Sequence, residues 1–193
     1  MRKKGKILYL HGTSSSGKTT LAKSLQNSLA EMYLHWSGDD FYGCLPERAI
    51  KNPADYMDQF HIRVRAFHNA MFAISNAGLN VIVDSIYIKF VDSEEIEDFA
   101  KNEVYLIGLT SSLQELKRRE IARCDRKIGI AETQLSYFYE NLNFDLFINT
   151  ADLDIQASTE LIISKISNGA NPVAFREYLD QGTWSQTKHS LTP

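Results

Sequence analysis

Residues 12–19 read Gly-Thr-Ser-Ser-Ser-Gly-Lys-Thr, and no other stretch of the 193-residue chain restricts its fold as strongly. The run fits GxxxxGK[ST] at every position. An apolar run of strand length, Ile7 to Leu10, leads into it. From Lys18 onward Leu21, Leu25 and Leu29 mark the apolar face of a helix leading out. That context gives the pattern its meaning: glycines let the backbone turn so that successive N–H groups point at phosphate oxygens, at the positive end of a helix dipole. Gly12, Thr13, Ser14, Ser15, Ser16, Gly17, Lys18, Thr19 and Thr20 are therefore the candidate nucleotide-binding residues. Lys18 is suited to the β- and γ-phosphates, and the Thr19 hydroxyl to Mg²⁺. A Gly/Ser turn with an accidental lysine is the bland alternative, and the flanks argue against it.

The rest of the chain alternates strand-length apolar runs with segments of helical period, which predicts a parallel sheet flanked by helices in an α/β fold. Further strands are expected at Tyr33 to Trp36, Asn80 to Val83, Val104 to Leu109 and Phe144 to Ile148. Phe60, Val64, Phe67, Met71 and Ile74 mark a helix closed by Gly78. Helices are also expected over about 113–123, 131–139 and 155–166. Residues 43–59 are the least periodic, with Pro46 and Pro53 as breakers. No linker divides residues 1–168, which read as one domain. Residues 169–193 read as a polar tail without a pattern.

A triphosphate loop leaves the reaction open. No guanine-reading NKxD sequence follows a strand, which disfavours a GTPase, and the short chain disfavours a mechanical ATPase. A small-molecule kinase needs an acceptor-side base, a metal-side carboxylate and an arginine-bearing lid. Ligands of an open parallel sheet sit beyond the carboxyl ends of its strands, where acids follow two predicted strands. Asp39 and Asp40 follow the second, and Asp84 ends the third. Asp39 is assigned the base and Asp84 the metal side; helix capping and a solvated strand end are their structural alternatives. Arg119, Arg123 and Arg126 are spaced by four and three, so one helical face of a small lid would present all three to the phosphates. Their alternative is a solvated basic helix paired with Glu115 and Glu120. Phe41, Tyr42, Tyr56, Met57 and Phe60 are divided between an acceptor wall and core. His11, before the loop, reads as a packed spacer.

Composition narrows the partners. Twenty-one Lys and Arg against 24 Asp and Glu give a net charge of −3, poorly suited to gripping nucleic acid through its phosphates. Cys44 and Cys124 have no CxxC neighbour, which removes a disulfide framework and a zinc site. Arg2, Lys3, Lys4 and Lys6 are followed by too short an apolar run for a signal peptide, and no run approaches a membrane span. A cytoplasmic protein is expected, with a homo-oligomer left open.

LHGTSSSGKTTLAKSLQ, SGDDFYGCLP, VIVDSIY and RREIARCDRKIGIA occur in the order and spacing of the chloramphenicol phosphotransferase-like kinases. Over roughly residues 6–166 the chain resembles that family. The resemblance implies a P-loop kinase fold with a central five-stranded parallel sheet. It implies transfer of the γ-phosphoryl group of ATP, with Mg²⁺, to a hydroxyl of a small molecule. Asp39 falls on the family's base, Arg123 and Arg126 on its lid arginines with Arg119 upstream, and Asp84 on the aspartate after the third strand. Asp40 stands where a small residue is common, and His11 where an asparagine is expected. Residues 43–59, which shape the acceptor side, match least. A kinase for a nucleoside, sugar acid or other metabolite, a non-catalytic nucleotide-binding module, and a polynucleotide 5′-kinase remain the alternatives.

Overall fold

The computed structural model describes residues 3–123 and 128–181. The apolar run before the loop forms β1 (Ile7–Gly12), fully buried, and α1 (Lys18–Ser28) follows. The other strands are β2 (Tyr33–Ser37), β3 (Asn80–Asp84), β4 (Val104–Thr110) and β5 (Leu146–Asn149). All pair in parallel, in the order β2-β3-β1-β4-β5. The five-stranded parallel sheet expected from the sequence is therefore present. Each predicted strand lies within two residues of its observed position.

Between β2 and β3 come α2 (Gly38–Gly43), α3 (Glu47–Lys51), α4 (Pro53–Met57) and the long α5 (Phe60–Asn76). The stretch 43–59 read as aperiodic thus contains two short helices, α3 and α4. Five residues span too few turns to display a period, and Pro53 is a helix start, with the Asn52 side chain accepting from the Ala54 N–H. A 3-10 turn at Tyr87–Phe90 and α6 (Ser93–Ala100) lead into β4. Helix α6 carries a full capping box, with Asp92 accepting from Glu95 N–H and Glu95 accepting in return. Then come α7 (Leu113–Ala122), α8 (Ile130–Leu135), α9 (Ile155–Ser167) and α10 (Ala174–Gln181).

Successive strand residues alternate between two cores. Ile7, Tyr9, Val81, Val83 and Leu106 face α5, α6 and α10, whereas Leu8, Leu10, Ile82, Ile107 and Leu109 face α1 and α9. Helix α10 corrects the reading of 169–193 as a patternless tail. Ala174, Phe175 and Tyr178 are buried, and Phe175 stacks on Phe99 with centroids 4.6 Å apart. Asp145 secures this helix from across the chain: its Oδ1 accepts from the N–H groups of Val173 (2.6 Å) and Ala174 (3.2 Å), and its Oδ2 from Leu106 N–H. Three buried positions in eight residues, capped by a side chain 29 residues away, leave little for local periodicity to reveal.

Register fixes where function can lie. Ser37 pairs with Asp84, and Asp84 pairs with Leu10, so β2 and β3 end level with each other, two residues short of the end of β1. The phosphate-binding loop, Asp39 and Asp84 consequently emerge on the same edge. The chain also switches sides across β1 there, going first to β3 and β2 and then to β4, the position where doubly wound sheets open a crevice.

Candidate active site

The loop is built by two backbone features. Gly17 has φ +97°, a conformation glycine adopts without strain, and it ends the loop just before α1. Gly12 packs so closely that a Cβ would stand 2.2 Å from the Leu109 carbonyl oxygen and 2.8 Å from Ser16 Oγ. Lys18 curls back over the loop, its Nζ donating to the carbonyls of Gly12 (2.9 Å) and Thr13 (2.8 Å). The hydroxyls of Thr13, Ser15 and Ser16 are buried with no hydrogen-bond partner among the described residues. The Lys18 ammonium and the N–H groups at the start of α1 give the loop the positive end that an anion needs.

At the start of α1 the Thr19 hydroxyl donates to Asp84 Oδ2 at 2.5 Å. Asp84 is 6% exposed. Burial alone would raise its pKa. The His35 imidazole, with Nε2 3.8 Å from Oδ2, together with the Lys18 ammonium and the Thr19 hydroxyl, outweighs that and holds the carboxyl below its ordinary value. Thr19 and Asp84 thus offer two oxygen donors, one of them anionic, suited to a hard cation such as Mg²⁺ that completes its shell with water and phosphate oxygens. Among the described residues no group of three His, Cys, Asp or Glu side chains forms a metal cage.

A cleft of about 610 Å³ connects these parts. Its loop-side wall contains Ser14, Ser15, Gly17, Lys18, Thr19 and Thr20. Asp84, Asp39 and Arg123 line it as well. Gly12, Thr13 and Ser16 lie behind the wall as its scaffold. Asp39 is exposed in the first turn of α2, but the N-cap there is Ser37, whose hydroxyl accepts from Asp40 N–H, so neither Asp39 nor Asp40 caps the helix. Tyr42 and Tyr56, in edge contact at 5.4 Å, form an aromatic wall with Tyr87 beside them. Burial raises the pKa of Tyr87, and Tyr56 and the Asp39 charge add to that, so its phenol stays protonated. Of the five aromatic and thioether side chains divided between wall and core, Tyr42 and Tyr56 line the cleft, and Phe60 is buried in the core with Phe41 and Met57 packed against it.

A family model described as chloramphenicol phosphotransferase-like protein matches residues 5–167. The chain belongs to that family. It is a kinase of the P-loop fold. A Mycobacterium tuberculosis protein provisionally named an O-phosphotransferase is 25% identical over 194 residues, covering 89% of this chain and 86% of the relative. Solved structures share the architecture at lower identity. The APS kinase of Mycobacterium tuberculosis, in complex with AMPPNP and APS, aligns at TM-score 0.61 and 18% identity over 85% of this chain and 98% of its own. A gluconokinase from Sinorhizobium meliloti aligns at 0.60 and 15% over 93% and 99%. The Deinococcus radiodurans tunicamycin resistance protein aligns at 0.62 and 16% over 84% and 95%.

The family's arginine-rich stretch is arranged differently from the single helical face expected here. Helix α7 stops at Ala122, and Arg123 is extended at φ −98°, ψ 91°, so Arg119 and Arg123 do not share a face. Arg126 lies outside the described residues. Arg119 is committed behind the loop: its Nε donates to Glu115 (2.7 Å), and its terminal nitrogens donate to Thr150 Oγ1 (3.0 Å), Thr150 O (3.1 Å) and Ser15 O (3.4 Å). Glu115 sits one turn upstream with its own pKa depressed to about 2 by Arg118 and then Arg119. Glu120 makes no pair with the described arginines. It is 1% exposed and accepts from the N–H groups of Gly129 (3.0 Å) and Ala131 (2.7 Å).

Three residues that the sequence did not single out hold the loop. Tyr139 accepts from Thr13 N–H (3.0 Å) and donates to Leu109 O (2.7 Å). Gln134, in α8, accepts from Ser14 N–H at 2.6 Å. The single O–H of Thr150 is shared between Ser16 O (3.1 Å) and Thr110 O (3.0 Å). All three lie more than 100 residues from the loop, and their spacing carries no signal. His11 is the packed spacer expected. Its Nε2 meets Phe138 O at 2.9 Å, and it stacks on Phe144.

Proposed function

We propose that the protein transfers the γ-phosphoryl group of ATP to a hydroxyl of a small molecule. What supports the reading most is the shared cleft, where an acid outside the phosphate loop, Asp39, faces the same space as Lys18, Thr19 and Asp84. Backbone N–H groups at the start of α1 and the Lys18 ammonium would hold the triphosphate, and Thr19 and Asp84 would hold Mg²⁺. When bound, the ion neutralises charge on the β- and γ-phosphoryl oxygens. Asp39 accepts the acceptor's hydroxyl proton as its oxygen forms the new O–P bond and the bond to the β,γ-bridging oxygen breaks, leaving ADP. Arg123, beside the cleft, adds positive charge where the transferring group becomes most negative. Tyr42 and Tyr56, set edge to face, form an aromatic wall for the acceptor. Chloramphenicol, named by the family, is the first acceptor to test.

Transfer of labelled γ-phosphate across a panel of hydroxylated compounds, chloramphenicol included, identifies the acceptor. Asp39→Asn should then reduce transfer by a factor on the order of 10² or more while AMPPNP affinity stays within a few-fold of the parent. Near-normal transfer by Asp39→Asn would remove the base assignment. Binding of nucleotide with no transfer to any acceptor would favour a nucleotide-sensing module.

A further inference from the structure

Gln134 has a half-used side chain at the mouth of the loop. Its Oε1 is fixed by Ser14 N–H at 2.6 Å, and only an oxygen can meet that donor. The carboxamide nitrogen therefore occupies the other arm of the planar group, with two N–H donors and no partner among the described residues. Tyr139, the neighbouring brace, spends both its donor and its acceptor on backbone, so the two residues are not equivalent. Gln134 also lines the cleft with Ser14, Lys18, Asp39 and Arg123. Its backbone is held as well, because the buried Glu120 accepts from Gly129 and Ala131 at the start of α8.

We infer that Gln134 is a catalytic residue whose carboxamide N–H groups donate to the non-bridging oxygens of the phosphoryl group in transfer, the Ser14 N–H serving to aim them. The inference rests on the phosphotransferase reading. A positioned donor acts on charge that grows in the transition state, and such donors are worth a factor on the order of 10² to 10³. No bond to Gln134 forms or breaks.

The test needs no acceptor. MgADP affinity is measured with and without aluminium fluoride, whose ADP complex mimics a phosphoryl group in flight, alongside the melting temperature. Two variants are compared: Gln134→Glu keeps an oxygen for Ser14 N–H and loses both donors, and Gln134→Met loses all three interactions. In the parent, fluoride should tighten MgADP binding. In both variants that gain should fall by a factor on the order of 10², since the ratio cancels any change in MgADP affinity itself. A retained gain overturns the inference, whether MgADP binding weakens with the melting temperature, as for a mere brace, or tightens, as for a plug over the loop. A parent that binds MgADP without any fluoride gain overturns it too. A parent that binds no MgADP fails the phosphotransferase reading, a distinguishable result.

Discussion

Lowering the pH should destabilise the protein through His11. The imidazole is fully buried directly before the phosphate loop. Burial lowers its pKa from 6.5 to about 3; the Phe138 carbonyl opposes this, and the Lys18 ammonium adds to the lowering. Its Nε2–H donates to Phe138 O, so a second proton would go to Nδ1, which has no partner among the described residues. The unfolded chain takes up that proton as the pH falls through 6.5, and the native protein does not until about 3. Across that window the unfolded state binds more protons, so stability rises with pH and is lost on acidification. The slope approaches 1.4 kcal/mol per pH unit, and between pH 7 and pH 5 the loss from this group is about 2 kcal/mol. For a domain of this length that lowers the melting temperature by about 4–8 °C. His68, also buried and also lowered, acts in the same direction, so the measurement is a difference. His11→Gln keeps a nitrogen for Phe138 O and cannot titrate. Urea denaturation of both proteins at pH 7 and pH 5 should show the parent losing about 2 kcal/mol more than the variant. Equal losses would mean that His11 is charged or solvated in the native state, and the packing argument for it would fail.

Two further predictions concern the fold around the site. Gly12→Ala places a methyl 2.2 Å from a strand carbonyl that cannot retreat, so it should cost about 1–3 kcal/mol in urea denaturation and abolish AMPPNP binding in a titration. Phe175→Ala should cost about 3–5 kcal/mol by the same denaturation assay, although the residue lies beyond the span matched by the family. A loss below about 1 kcal/mol would show that α10 contributes little to the core.

Much of the architecture was legible because it is locally encoded. Buried central strands such as Ile7-Leu8-Tyr9-Leu10 are apolar without interruption, and α5 repeats its buried face over 17 residues. Helix α6 was legible in principle through Asp92 and Glu95, a capping box that precedes only eight residues. Helices α2, α3 and α4 were not, since each is about a turn and a half and takes its stability from neighbours. The arginines show where reasoning from spacing stops. Intervals of four and three presuppose a continuous helix, and α7 ends before Arg123.

For the site, the sequence by itself determined the chemistry available: a phosphate loop, a lysine, a hydroxyl for a metal, and acids at strand ends. Each belongs to a run whose meaning depends on the few residues beside it. Only the tertiary structure decided which groups act together. Register brought Ser37, Asp84 and Leu10 level, so that Asp39, Asp84 and the loop open on one cleft. It set Arg119 behind the loop on Thr150, and gave Ser14 N–H to Gln134, 120 residues away. Hydrogen bonds are satisfied by whatever packing brings within about 3 Å, and sequence separation does not enter that condition.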